Sequence, residues 1–367
     1  MRAIVNAEAF SDALNRAITT PYGSKYVPEL NGVYIRFDGE KCMLASSNLE
    51  SWLVTELPAD GDAFSFVLTR PAAVARACRY FSGKLVLEYR ELAAKGQLRI
   101  LITMSCSARA GEFEALPSKD YPELPQPVEG GAFSTCASSL LDRVKRVRYA
   151  ALKPGGSQNQ RDRMSIQFRG NHIFAVDGHR MAWDSAGELA IPREFMVRAD
   201  LLSSLVVFEH SEVHFHVGTR NLQITDGVTS LFLPIPPERV YHFEDAIPEK
   251  MIEQFYVRPK QFLQELAYLE QFSPKGKRLC VRMRSGVLSV NAQTESYRTE
   301  IEISGRNEVT VGFDLSYMKD ALKQFRNADW ITVGISGELS PIVLGADGRD
   351  DHALILPVRL EQTQRAA

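Results

Sequence analysis

Apolar residues recur at helical spacing in six segments: 7–19, 71–81, 138–150, 199–208, 259–272 and 315–325. In the first, Phe10, Leu14 and Ala17 fall on one face; in the third, Leu140, Leu141, Val144 and Val147 do. The fifth carries Phe262, Leu266 and Leu269, the sixth Met318, Leu322 and Phe325. Positions three and four apart share a face of a 3.6-residue helix, so each stripe predicts an amphipathic helix with one side buried. Start signals accompany them. Pro71 and Pro259 stand at a first turn, where a missing N–H loses no hydrogen bond, and Ser138 and Asp314 are expected N-caps.

Between these segments the period changes to two. Residues 33–37 alternate, Asp38-Gly39 turns, and 42–45 return; 222–225, Asp226-Gly227 and 229–233 repeat the arrangement. Ser285-Gly286 precedes 287–292, and 297–303 alternates again. Asp-Gly between apolar runs is a strong hairpin signal, so these are antiparallel strands. The helices begin roughly every 60 residues, which is a repeat period. Two proline-rich stretches without periodicity, 117–127 and 234–248, mark seams. They divide the chain into three similar pieces, 1–126, 127–250 and 251–367. The expected class is α+β, three copies of a domain that packs two helices on antiparallel sheets.

Composition narrows the class. With 367 residues, 45% of them hydrophobic, the chain can bury several cores, and it carries no apolar run of ~18 residues to span a membrane. The first ten residues include Glu8 and lack an apolar stretch, so no secretion signal is expected. Cys42, Cys78, Cys106, Cys136 and Cys280 are scattered, odd in number and without a C-x-x-C pair. This points to a reducing cytoplasm and away from disulfides or zinc.

The net charge of −2 looks wrong for a protein that meets phosphate, so the distribution decides. Segment 138–150 carries Arg143, Lys145, Arg146 and Arg148 against Asp142. Arg76 and Arg79 lie on the second helix; Lys319, Lys323 and Arg326 lie on or just after the sixth. Loops add Lys25, Lys119 and the cluster Lys275, Lys277 and Arg278. Acidic residues such as Glu244, Asp245, Asp347, Asp350 and Asp351 gather elsewhere. Basic helix faces of this kind are either solvated surface or a sequence-independent contact with a DNA backbone. No recognition helix or aromatic stacking platform suggests base readout.

Catalytic signatures are missing: there is no G-x-S-x-G, H-E-x-x-H, Walker A or G-x-G-x-x-G. Asp177, His179 and Arg180 sit close enough in sequence to suggest acid–base work, but an Asp-Gly hairpin between apolar strands explains them better, since no second partner is evident. Asp60, Asp62 and the Arg349-Asp350-Asp351 run are expected to be surface turns, because no ordered set of oxygen ligands follows them.

Four motifs, in order along the chain, resemble the bacterial DNA polymerase III beta subunit, the sliding clamp family. Val27-Pro28-Glu29-Leu30 with Ser46-Ser47-Asn48-Leu49-Glu50 is similar to its opening P-I-L and T-D-L-E. Ala115-Leu116-Pro117-Ser118-Lys119-Asp120-Tyr121-Pro122-Glu123-Leu124 resembles its linker A-L-P-x-x-D-F-P-x-L. Val176-Asp177-Gly178-His179-Arg180-Met181-Ala182 resembles T-D-G-H-R-L-A, and Leu354-Ile355-Leu356-Pro357-Val358-Arg359-Leu360 resembles V-x-M-P-M-R-L. Val176 stands in place of the family's Thr, Ser47-Asn48 in place of Thr-Asp, and residues 361–367 run past the Arg-Leu end as a tail expected to fray.

The resemblance implies three DNA-clamp domains per chain and a head-to-tail homodimer closed into a ring around duplex DNA, a processivity factor for replication without cofactor or metal. Clamp loader and polymerase would be held by short peptide motifs in a pocket between the second and third domains. Carried over by position, its walls are Ala151, Val176, Gly178, His179, Arg180 and Met181 from the middle of the chain. Ala246, Leu354, Leu356, Pro357, Val358 and Arg359 complete it. At the dimer contact Phe113 would meet a patch at the end of the fifth helix, Leu269 and Phe272, which equally fit that helix's own core stripe. Two other readings stand beside this one. One is a clamp-like scaffold from a phage or mobile element that binds partners without supporting the main replicative polymerase; the other is an enzyme built around Asp177 and His179.

Overall fold

The computed structural model describes all residues except 21, 95–96, 155–159, 186, 188, 274–277, 293–294 and 361–367. Five of the six expected helices are α-helices: α1, Ala7–Thr19; α2, Pro71–Cys78; α3, Ala137–Val147; α4, Pro259–Glu270; and α5, Leu315–Gln324. Phe10, Leu14 and Ala17 of α1, Leu140, Val144 and Val147 of α3, and Phe262, Leu266 and Leu269 of α4 are buried as their spacing requires, while Leu141 is half-buried. Asp314 caps α5, its carboxylate accepting from the N–H groups of Ser316 and Tyr317. Ser138 is not a cap, because α3 begins one residue earlier and makes it the second helical residue. Asn6, unnoticed in the sequence, caps α1 by accepting from the Ala9 N–H at 2.8 Å.

The remaining segment, 199–208, forms a 3-10 helix over Leu201–Phe208. Leu202, Leu205 and Phe208 are all buried and lie three residues apart. That spacing matches a turn of three residues, in which i and i+3 eclipse, better than a turn of 3.6.

The chain divides into two compact units, Met1–Leu141 with Leu201–Ile235 and Asp142–Asp200 with Pro236–Ala367. In the first, Arg2–Asn6 pairs with both Lys84–Ala94 and Trp52–Gly61, so the strands of the first third return on themselves. Trp52–Gly61 also pairs with Thr229–Pro234, which continues the sheet through Asn221–Thr225 and Glu212–Val217 to Gly131–Cys136. Helices α1 and α2 lie side by side in this unit.

The second unit has a nine-stranded and a four-stranded sheet. In the larger, Ser165–Arg169, His172–Val176 and Arg180–Ser185 are followed by Asp351–Ile355 from the far end of the chain, then Ile342–Gly345, Ile331–Ile335 and Glu253–Val257. The four-stranded sheet runs Glu295–Glu300, Val287–Ala292, Cys280–Arg284, Val311–Asp314. Helices α4 and α5 pack together over a core that includes Phe255, Phe262, Phe313, Met318 and Phe325. Truncating Phe262 to alanine would cost about 3–5 kcal/mol through lost burial and the cavity left behind. The two proline-rich seams carry no strand over 117–130 or 235–252. No helix among the described residues is long and apolar enough to cross a membrane.

Candidate functional site

Strands His172–Val176 and Arg180–Ser185 are joined by Asp177-Gly178, with Gly178 at φ +91°, a conformation open to glycine at little steric cost. Asp177 is 3% exposed. One carboxylate oxygen accepts from the backbone N–H groups of His179 at 2.9 Å and Arg180 at 3.0 Å, and the other from Arg180 Nε at 2.9 Å. Its lone pairs hold the turn and its neighbouring cation, which disfavours a role in proton transfer.

Arg180 reaches further. It donates to Asp320 at 2.8 Å, and its guanidinium lies over the Tyr317 ring at 4.7 Å and the Tyr149 ring at 5.6 Å. Burial works against its charge, but hydrogen bonding to Asp320 and the field of both carboxylates raise its pKa. Burial pushes the Tyr149 and Tyr317 phenols up. At Asp320 burial is outweighed by hydrogen bonds from Arg180 and Lys323, which hold the carboxyl below its usual range. The His179 ring stacks beside Tyr317 with centroids 6.0 Å apart.

The last strand, Asp351–Ile355, pairs antiparallel with this hairpin, placing Leu354 opposite Met181 and Ile355 opposite Arg180. The Leu356 N–H then donates to the His179 carbonyl at 2.9 Å, and the Val358 N–H to the Gly312 carbonyl at 2.8 Å. The chain leaves the sheet with its side chains facing outward: Leu356 is 40% and Val358 36% exposed, Pro357 is half-buried and Arg359 exposed. Leu339, also exposed, joins Val358 and Leu360 along a cleft of about 150 Å³. Beneath, Phe174, Met181, Trp183, Phe243 and Leu354 form a buried cluster against which Val176 and Ile247 pack. The outcome is an apolar ledge on a buried floor, bordered by an arginine ion-paired to Asp177 and Asp320.

The site residues expected from sequence thus divide. Leu356 joins His179 at the turn that also holds Gly178 and Arg180, Val176 packs on the floor below, and Pro357 and Val358 follow along the outgoing chain. Met181, Leu354 and Ala151 are buried, so they are floor and support, with no free wall surface. Ala151 adjoins Leu152, whose N–H donates to the Arg163 carbonyl; the Arg163 guanidinium would lie 3.2 Å from a Cβ placed on Gly178. Ala246 is exposed, three residues beyond the buried Phe243. Tyr317, Tyr149, Asp320 and Arg163 escaped the sequence reading. Tyr317 sits on α5 beside the buried stripe of Met318 and Leu322, and nothing local indicates that its ring meets a turn nearly 140 residues away.

The basic residues also divide. Arg143 is not on a solvated face: it donates to the carboxylate of Asp184 at 3.0 Å and to the Ser185 carbonyl at 3.0 Å, with its side chain 17% exposed. Arg146 reaches the same carboxylate at 3.2 Å. Asp184 is fully buried; burial pushes its carboxyl above the usual range, against the pull of both guanidiniums. A buried acid takes the nearest cations, so these two arginines serve it first. Lys25, Arg76, Arg79, Lys119, Arg148 and Arg326 are exposed. Lys145 pairs with Asp142, Lys319 with Glu270 and Lys323 with Asp320. Arg278 lies over the Tyr317 ring at 5.3 Å, and Lys275 and Lys277 lie outside the described residues.

At the expected dimer contact Leu269 is fully buried in the core and presents nothing outward, which corrects its reading as an interface residue. Phe272 is half-buried, stacked on Tyr297 at 3.6 Å and edge-on to Tyr268 at 5.3 Å. Phe113 is half-buried on strand Arg109–Leu116. Asp62 accepts from the Arg2 N–H, and Asp351 is buried against Arg349 rather than lying in an exposed turn. Among the described residues no group of three or more His, Cys, Asp and Glu side chains is placed to hold a metal ion.

No family model and no curated protein sequence matches the chain. Solved structures do. The DNA polymerase III subunit beta of Pseudomonas aeruginosa superposes with a TM-score of 0.80 at 18% identity, covering 98% of this chain and 100% of that one. The beta subunits of Thermotoga maritima and Streptococcus pneumoniae each reach a TM-score of 0.78, at 15% and 16% identity, with the same coverage. Over its whole described length, therefore, the chain has the fold of the DNA polymerase III beta subunit, the sliding clamp.

Proposed function

We propose that the chain is a DNA polymerase processivity factor, a homodimeric sliding clamp that encircles duplex DNA and tethers its partners by short peptides. The observation that carries this reading is the ledge, where the last strand docks on the Asp177-Gly178 hairpin and leaves Leu356 outward beside His179, with Val358 exposed two residues further on. An extended peptide can seat two or three apolar side chains there, each Å² buried contributing ~25 cal/mol. Replacement of Thr by Val176 makes that wall apolar and favours aliphatic anchors.

In this reading the domains are 1–126, 127–250 and 251–367. The two compact units are compatible with it, since each joins part of the middle piece to one end of the chain by continuous strand pairing. Exposed Lys25, Arg76, Arg79, Lys145 and Arg148 would touch phosphates without reading bases. Phe113 of one copy would meet Phe272, Tyr268 and Tyr297 of another, a head-to-tail contact that closes into a ring. The protein is then a non-catalytic, cytoplasmic accessory subunit.

The test is retention. After loading, the protein should stay with nicked circular DNA through gel filtration and leave once the circle is cut. A species that sediments as a monomer at micromolar concentration and does not stay on circles overturns the reading. Leu356→Asp should abolish peptide binding while leaving the dimer intact.

A further inference from the structure

The four-stranded sheet of the second unit has two chemically opposite faces. Val281, Met283, Leu288 and Val290 point into the core. The alternate positions line a cavity of about 410 Å³, within the range of small-molecule sites. Strand register orders this lining. Arg282 stands opposite Ser289, and Ser289 opposite Arg298, so a row of guanidinium, hydroxyl and guanidinium crosses three strands. Strands lie ~4.8 Å apart, which puts the two arginine backbones ~10 Å apart with the hydroxyl midway. One pair further along, Asn291 stands opposite Ser296; in the other direction Arg284 stands opposite Val287.

Among the described residues lining the cavity there is no carboxylate and no aromatic ring. Arg284 and Arg298 are exposed and enter no ion pair among the described residues. Burial pushes the Cys280 thiol up to about 11, so it stays neutral and adds no opposing charge. Arg284 and Arg298, which enter no ion pair among the described residues, share this concavity with hydroxyl and amide donors and favour an anion with several oxygens. The lack of a ring leaves nothing for a nucleobase to stack on.

We propose that this cavity binds a small phosphate-bearing ligand. Arg298 and Arg284 supply the uncommitted cations, Ser289 donates to a phosphoryl oxygen between the rows, and Arg282 adds to the positive potential. The inference does not rest on the clamp reading, since it concerns a different ligand, although the cavity adjoins the ledge cleft through Arg284 and Leu360.

Inorganic pyrophosphate is the probe, titrated calorimetrically into the full chain. Saturable binding is expected, weakened about tenfold or more in Arg298→Ala and in Arg284→Ala. Arg298→Lys should retain part of it, and Arg220→Ala, at an exposed arginine outside the cavity, should bind as the parent does. No saturation at millimolar pyrophosphate, or equal binding by the parent and both arginine-to-alanine variants, overturns the proposal. Equal weakening in Arg220→Ala overturns it as well, because the anion would then follow overall charge. So does a single-stranded oligonucleotide that binds through Arg284 and Arg298 and is not displaced by pyrophosphate.

Discussion

At Asp177-Gly178 and at Asp226-Gly227 the chain makes the same turn. Each aspartate accepts from the N–H groups two and three residues on, His179 and Arg180 in one case, Val228 and Thr229 in the other. The glycines have φ of +91° and +90°. The second carboxylate oxygen separates them. At Asp226 it takes Arg16 of α1, which also donates to Thr229, so the turn is pinned to a helix within its own unit. At Asp177 it takes Arg180 from the same turn, which continues to Asp320 and the Tyr317 and Tyr149 rings, while the His179 carbonyl receives Leu356. The local chemistry is shared; the neighbours turn one hairpin into a structural pin and the other into the rim of an exposed apolar ledge.

The largest test of this contrast removes the aspartates. Asp177→Ala should cost about 3 kcal/mol in urea unfolding, because it strands part of a nearly buried cation and two N–H groups. Asp226→Ala should cost about 2 kcal/mol, since the more exposed Arg16 regains water. Equal losses would break the comparison.

A Tyr317→Ala change should lower peptide affinity about tenfold by removing the ring beneath Arg180 and beside His179, with a smaller effect on stability. Unchanged affinity would move the binding surface away from this rim. The glycines give a sharper pair. Gly227→Ala meets nothing within 4 Å and should cost only the positive-φ strain, about 1 kcal/mol. Gly178→Ala carries the same strain and also crowds the Arg163 guanidinium, so it alone should affect peptide binding.

The smallest effect is on pH dependence. Asp226 and Asp320 both lie below the usual carboxylate range: burial raises each pKa, and hydrogen bonds from Thr229 and Arg16, or from Arg180 and Lys323, more than reverse it. A carboxyl whose folded pKa is depressed supports the fold above its unfolded value, ~3.9 for Asp, and loses that support as pH falls through the folded value. The urea midpoint should therefore drop between about pH 5 and pH 2, and less steeply in Asp226→Asn and Asp320→Asn.

Sequence alone determined the local elements. Stripes at three and four residues predicted five α-helices within a few residues of their ends, and Asp-Gly between apolar runs located the hairpins, because capping, turn and amphipathic preferences act over a single turn or two of chain. Motif order pointed to the clamp fold across the whole length despite identities below one fifth to the solved structures. Tertiary structure decided what each exposed-looking residue does. Arg143 and Arg146 read as a basic face until buried Asp184 claimed them, Leu269 fitted an interface and a core stripe alike until the core enclosed it, and Tyr317 drew no reading until Arg180 lay over it. The reason is one of range: a cation or ring is committed by whatever lies within a few ångströms, and in a sheet that joins residues 180 and 355 those neighbours come from distant parts of the chain.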